Sequence, residues 1–214
     1  RGEGPARGVW SFLISLGQMI VPLIGLIAAI LALGMSGLMG LRGQLISELI
    51  LMVGVNLIVA RWLGTRVFGL PGAEWQVLNL AKLSRAEGRV EATLLGFAYG
   101  TFLLVQELAA FEGYSDATTA VLELPILVFA GVLMVRLGRL LLNHRESVEG
   151  EGEDEGPNFS DRTLSLAGRF LMIVGIVGPV MAALGYANLA GMVVFNTALS
   201  FALIGFLLVL HGFF

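Results

Sequence analysis

Six long apolar blocks follow one another along the chain, separated by short polar, charged or glycine-rich clusters. They are Val9 to Leu33, Leu45 to Trp62, Ala92 to Ala110, Thr118 to Val135, Leu164 to Leu184, and Leu189 to Leu210. About 20 apolar residues carry a helix across the hydrocarbon core of a bilayer, so each block predicts one transmembrane helix. Transmembrane strands would instead alternate apolar and polar positions, and these runs are continuous. The predicted fold class is an all-α membrane protein, with about six transmembrane helices arranged as three helical hairpins. Residues 1–66 make the first hairpin, 92–145 the second and 161–214 the third, whose two helices turn tightly around GYAN. A connector at 67–91 and an acidic loop at 146–160 remain.

Composition agrees with this reading. Of 214 residues 57% are hydrophobic and 14% charged, and the mean hydropathy is +0.87, well to the apolar side of ordinary soluble domains. The 29 glycines suit helix packing in lipid, where small residues let backbones approach. There are no cysteines, which removes disulfides, thiol catalysis and cysteine metal sites. The first apolar block is too long for a signal-peptide core and lacks a clear cleavage site. The last block stops in LVLHGFF, just where a helix would leave the bilayer, so the expectation is a part of a longer chain.

Basic residues orient the bundle, because loops rich in lysine and arginine stay in the cytoplasm. With both ends, the loop after span two and the loop after span four on one side, that side holds Arg1, Arg7, Arg61, Arg66, Lys82, Arg85, Arg89, Arg136, Arg139, Arg145, Arg162 and Arg169. The other side holds Arg42 alone. Both ends are therefore expected in the cytoplasm. The acidic run within 146–160, GEGEDEGP, has nothing apolar to bury and is expected to be a disordered, self-repelling linker. Its Glu151, Glu153, Glu155 and Gly156 imitate the start of an EF-hand, but the twelfth position is Arg162 instead of a bidentate glutamate.

Three Leu-Gly or His-Gly pairs, at Gly64, Gly138 and Gly212, recur every 74 residues near the cytoplasmic ends of the hairpins. Arg61 and Arg136 beside the first two are placed to snorkel to the interface. Gly96 and Gly100 form GxxxG, which suggests a close helix crossing. Gly175 and Gly178 precede Pro179 and suggest a kink, as Pro22 and Pro125 do elsewhere. In the connector, Trp75 and Leu78 share one face opposite Gln76, Asn79 and Lys82, the pattern of a short interfacial helix. Ser84 and Glu87 then fit a capping box that opens span three.

Chemistry has few carriers. The two histidines, His144 and His211, stand alone, with no metal-binding motif around them, so the expectation is no enzyme, no cofactor and no metal. Polar groups inside a membrane are costly and make candidates by default. Gln18, Asn56 and Asn196 read as interhelical hydrogen-bond partners. Glu107 and Glu123, near the outer ends of spans three and four, read either as headgroup-level residues or as a speculative polar site that shares a proton.

RWLGTRVFGLPG, ELPILVFAGVLMVRLGRLLL and RTLSLAGRFLMIVGIVGPVMAALGYANLAGMVVFNTALSFALIGFLLVLHGFF resemble the extra membrane helices of large bacterial mechanosensitive channels of the small-conductance (MscS-like) family. The branch with a periplasmic N-terminal domain of unknown function is the one resembled. The resemblance implies an inner-membrane homo-oligomer, a heptamer in that family, whose six outer helices contact membrane lipids around a separate pore. It implies release of ions and solutes under hypo-osmotic stress, and no nucleic-acid partner. No pore residue carries over. A secondary transporter fragment and a non-conducting membrane scaffold are the competing expectations.

Overall fold

The computed structural model describes residues 6–37, 40–69, 82–149 and 159–213. These form six α-helices: α1 Ala6–Met35, α2 Leu41–Val67, α3 Lys82–Glu112, α4 Asp116–Glu149, α5 Phe159–Ala183 and α6 Ala187–Phe213. Among the described residues there is no strand, and every helix holds a stretch long and apolar enough to cross a membrane. The chain is an all-α, multi-pass membrane protein.

Most helices outrun the apolar blocks that predict them. The flanking residues are mostly good helix formers, so the backbone ladder continues past the apolar blocks. Thus α3 starts at Lys82, so the C-terminal part of the expected connector is helix, and Ser84 lies inside α3 instead of capping it. Likewise α4 runs to Glu149, next to Gly150. Its last turn therefore takes the first four residues of the stretch expected to be disordered. Phe159 and Ser160 at the other end of that stretch open α5, while its middle, 150–158, and the segment 70–81 with Trp75 lie outside the described residues. Where kinks were expected, α1, α4 and α5 remain helical through Pro22, Pro125 and Pro179.

Two of the turns share one device. After α5, Gly185 takes φ +95°, Gly185 N–H donates to the Ala182 carbonyl and Tyr186 N–H to that of Met181, which is the Schellman arrangement. After α3, Gly113 has φ +66° and Tyr114 N–H donates to the Ala109 carbonyl. Ser115 then caps α4, its hydroxyl accepting from the Thr118 N–H at 3.2 Å.

Helix pairing follows the glycines. In the most extensive contact, antiparallel α4 and α5 meet backbone to backbone, and a Cβ on Gly138 would lie 2.5 Å from the Gly168 carbonyl oxygen. The reverse holds for Gly168 and the Gly138 oxygen at 2.8 Å. One heptad away, Gly131 and Gly175 repeat the reciprocal contact, and Pro179 packs over Gly131. Next in extent, α2 and α3 close where Gly100 faces the Val53 backbone and Gly96 faces Ala60 and the Asn56 carbonyl. Gly178 admits Val194 of α6, and Gly191 admits the ring of Phe102. Leu127, Ala130, Met134, Leu171 and Val194 fill the buried centre with no more than 1% exposure.

Glycine substitutions should therefore split by position. Gly138→Ala drives a methyl into backbone that cannot retreat and should lower the thermal stability of the detergent-solubilised protein by about 1–3 kcal/mol, the usual cost of overpacking. Gly17→Ala, a helical site with nothing within 4 Å, should be neutral or stabilising, because alanine is the better helix former by roughly 1 kcal/mol. Equal melting temperatures for the two variants would contradict this packing.

Candidate functional site

Packing is tight on the side of the turns at 113–115 and 184–186 and opens toward the arginine-rich end. Tyr99, Phe102 and Phe195 form a layer across α3 and α6, with ring centroids 5.2 Å apart for Tyr99 and Phe195 and 4.8 Å for Phe102 and Phe195. Beyond Tyr99 and Phe195 an apolar cleft of about 530 Å³ lies among α2, α3, α4, α5 and α6. Asn56 and Phe68 mark its extent along α2, about 18 Å at 1.5 Å per residue. That is close to the roughly 15 Å depth of one leaflet's hydrocarbon.

The lining explains the space. Ala60, Gly64, Ala92, Ala167, Ala198 and Ala202 occupy positions where leucines would fill it, so the same small residues that bring α2 to α3 leave a void toward α6. Polar groups are confined to Asn56, which donates to the Met52 carbonyl at 2.8 Å, and Tyr99. Such a surface offers dispersion contacts and nothing that orients a polar ligand. Among the described residues no three His, Asp or Glu side chains gather as a metal site requires.

Polar contacts fasten the helices around the cleft. Trp62, buried on α2, donates its indole N–H to the Ser15 carbonyl of α1 at 2.9 Å, with the Ser15 hydroxyl at 3.2 Å. Trp62 also meets Phe206 of α6 at 6.2 Å between centroids. One turn later Arg66 donates to the Gln18 side-chain oxygen at 2.8 Å. Across α3 and α4, Arg136 Nε donates to Glu91 at 2.9 Å, with the Glu91 side chain 5% exposed and that of Arg136 59%. The second Glu91 oxygen is buried without a partner. At the other end Arg42 reaches Glu112 at 3.5 Å, largely in the open.

The expected site residues fall into three groups. Gly96, Gly100, Gly175 and Gly178 sit at helix contacts, and Arg61 is exposed. Arg136, expected only to snorkel, is half of an ion pair. Glu107 and Glu123 do not converge: Glu107 is exposed, whereas Glu123 is 1% exposed beside Gln106 with Oε1 unpartnered. One residue along a helix is a turn of about 100°, so the α3 face that presents Gln106 to Glu123 turns Glu107 away. Glu91 escaped the sequence reading because the span drawn from Ala92 leaves it one residue outside.

The Glu91–Arg136 pair gives a clear expectation. Removing one partner of a buried pair costs about 3–5 kcal/mol, largely through the charge left behind; the exposure of Arg136 puts this pair at or below the lower end. Arg136→Leu should destabilise the detergent-solubilised protein more than Arg136→Leu combined with Glu91→Leu, as read from melting in a double-mutant cycle. A double variant worse than the sum of its singles would count against the pair. No protein-family model, curated protein or solved structure matches this chain.

Proposed function

We propose that the six helices are the peripheral, tension-sensing bundle of an MscS-like mechanosensitive channel that releases ions and solutes under hypo-osmotic stress. The single observation that carries this is the apolar cleft, which has the depth of one leaflet and almost no polar lining. The resemblance of the quoted stretches to that family supplies the channel. In this reading the protein is a homo-oligomer in a bacterial inner membrane, with both ends of these residues in the cytoplasm and the cleft in the cytoplasmic leaflet.

Lateral tension favours the state that occupies more membrane area, and a ligand shifts an equilibrium only by its differential affinity for the two states. A cleft filled by acyl chains at rest, and emptied as tension thins the leaflet, provides such a difference. Mismatch energies are only fractions of a kcal/mol per ångström for one helix, roughly, but they sum over the helices of an oligomer. The exposed apolar residues of α1, α5 and α6, such as Val21, Ile173 and Leu203, are the surface on which the bilayer acts.

Patch-clamp recording of the full-length protein, in cells lacking other mechanosensitive channels, tests this. Currents should open under suction, and Ala198→Trp or Ala202→Trp, which fill the cleft, should raise the threshold at unchanged membrane expression. Unchanged thresholds in both variants would sink the sensor role.

One observation favours the transporter reading instead. Glu123 is a buried carboxyl with an unpartnered oxygen inside a span, the placement that proton-coupled transporters use. If that reading holds, Glu123→Gln abolishes proton-driven uptake in vesicles, and the full-length protein shows no tension-gated current. A Glu123→Gln variant with wild-type tension currents assigns Glu123 a packing role.

A further inference from the structure

Among the described residues two carboxyl side chains are buried, and each has one oxygen without a partner. Glu91 has the Arg136 guanidinium at 2.9 Å on its other oxygen, so its charge is met. Glu123 has only Gln106, an uncharged amide that donates to its carboxyl. None of the charged side chains described at this end of the bundle meets it: Glu48, Glu107 and Asp116 are exposed, and Glu112 lies by Arg42. The helix register gives its depth. Gly131 meets Gly175 and Gly138 meets Gly168, so Glu123, eight residues before Gly131, is level with Ala183, the last residue of α5. Phe102 packs on Gly191, and one turn beyond Phe102, Gln106 is level with Ala187, the first residue of α6. Acid and amide thus sit at the depth of the α5–α6 turn, about 10 Å along α4 from Asp116 at 1.5 Å per residue. The buried residues flanking that turn, Ala182 and Ala187, bring no polar side chain.

A carboxylate in such surroundings has lost water and gained no counter-charge, whereas a neutral carboxylic acid needs only hydrogen bonds. The chemistry of the pair agrees. An ionised carboxylate only accepts, a protonated one also donates, and a primary amide does both. Protonated Glu123 and Gln106 are therefore complementary, amide N–H to acid carbonyl and acid O–H to amide carbonyl, after no more than a rotation of the two planar groups. The ionised side chain can use only the N–H and leaves Oε1 bare. Gln106 alone thus satisfies the acid but not its anion.

We propose that Glu123 is a proton-binding site whose proton closes an acid–amide pair with Gln106 and so fastens α3 to α4 near the turn at 113–115. Losing the proton strands a charge at the depth of the α5–α6 turn, and that end of the bundle must then admit water to accommodate it. The inference holds under either reading of the bundle's function, since it concerns only the charge state that the packed helices accept. Transport would need, in addition, a path by which the proton leaves on the other side.

Infrared difference spectroscopy on the full-length protein in detergent reads the proton directly. At neutral pH the wild type should show the carbonyl band of a protonated carboxylic acid, which Glu123→Gln lacks and Glu107→Gln keeps. Melting reads the fastening. With Glu123 protonated, the folded state binds one proton more than the unfolded chain, so stability is greatest below the ordinary glutamate range and falls as pH rises. From about pH 5 upward the wild type should therefore lose roughly 3–5 °C per pH unit relative to Glu123→Gln, whose amide pair does not titrate. Absence of the acid band from the wild type overturns the proposal, as does its survival in Glu123→Gln. A melting difference between the two that does not change with pH overturns the fastening role. A melting temperature that climbs with sodium or potassium at constant ionic strength, in the wild type and not in Glu123→Gln, overturns the proposal in favour of a bound metal cation.

Discussion

Lipid gives helices no hydrophobic reason to associate, so close backbone approach and polar bonds must do what burial does in water. In this bundle the approach is concentrated where Gly138 meets Gly168 and Gly131 meets Gly175. A side chain at any of the four would meet a carbonyl oxygen, which cannot swing aside as a side-chain tip can. The α4–α5 pair is thus a fixed spine; α6 closes on it where Val194 meets Gly178, and α3 and α6 meet each other through Phe102, Gly191 and Phe195. The remaining helices have the space this arrangement leaves them.

Polar contacts hold what close packing does not. Apart from Ser15, α1 is exposed or half-buried along its described side chains, yet it is joined to α2 by the Trp62–Ser15 and Arg66–Gln18 bonds and by Leu26 seated against Gly54. Away from water these bonds have few competitors, so two of them can position a helix whose packing area alone would not. They also sit at one end of α1, on the arginine-rich side.

The fold was legible because span length is a hard constraint: six apolar blocks admit little besides six helices. Their ends were not, since nothing in Lys82–Glu91 or Glu146–Glu149 marks where apolar helix gives way to solvated helix. GxxxG at Gly96 and Gly100 pointed to a close approach, but the reciprocal glycines of α4 and α5 lie seven residues apart on each strand of the pair and show only once the register is known. The cleft could not be read at all. Its space comes from alanines and glycines of four helices, α2, α3, α5 and α6, each an ordinary small residue alone. Glu123 and Glu107 looked alike in sequence, and only the rotation of α3 against α4 separates them.

Small residues serve opposite ends in different parts of the bundle, and the difference is what they face. Gly131 and Gly175 face each other's backbone, so smallness becomes contact. Ala167, Ala198 and Ala202 face the cleft, so smallness becomes volume. In water such a void would be a defect, costly in lost dispersion contacts; in a bilayer the solvent is itself hydrocarbon and can fill it. On the proposed reading, a bundle closed in one leaflet and fillable in the other responds to the state of a single leaflet while its spine stays fixed. A uniformly packed bundle of the same helices would move as one body or not at all.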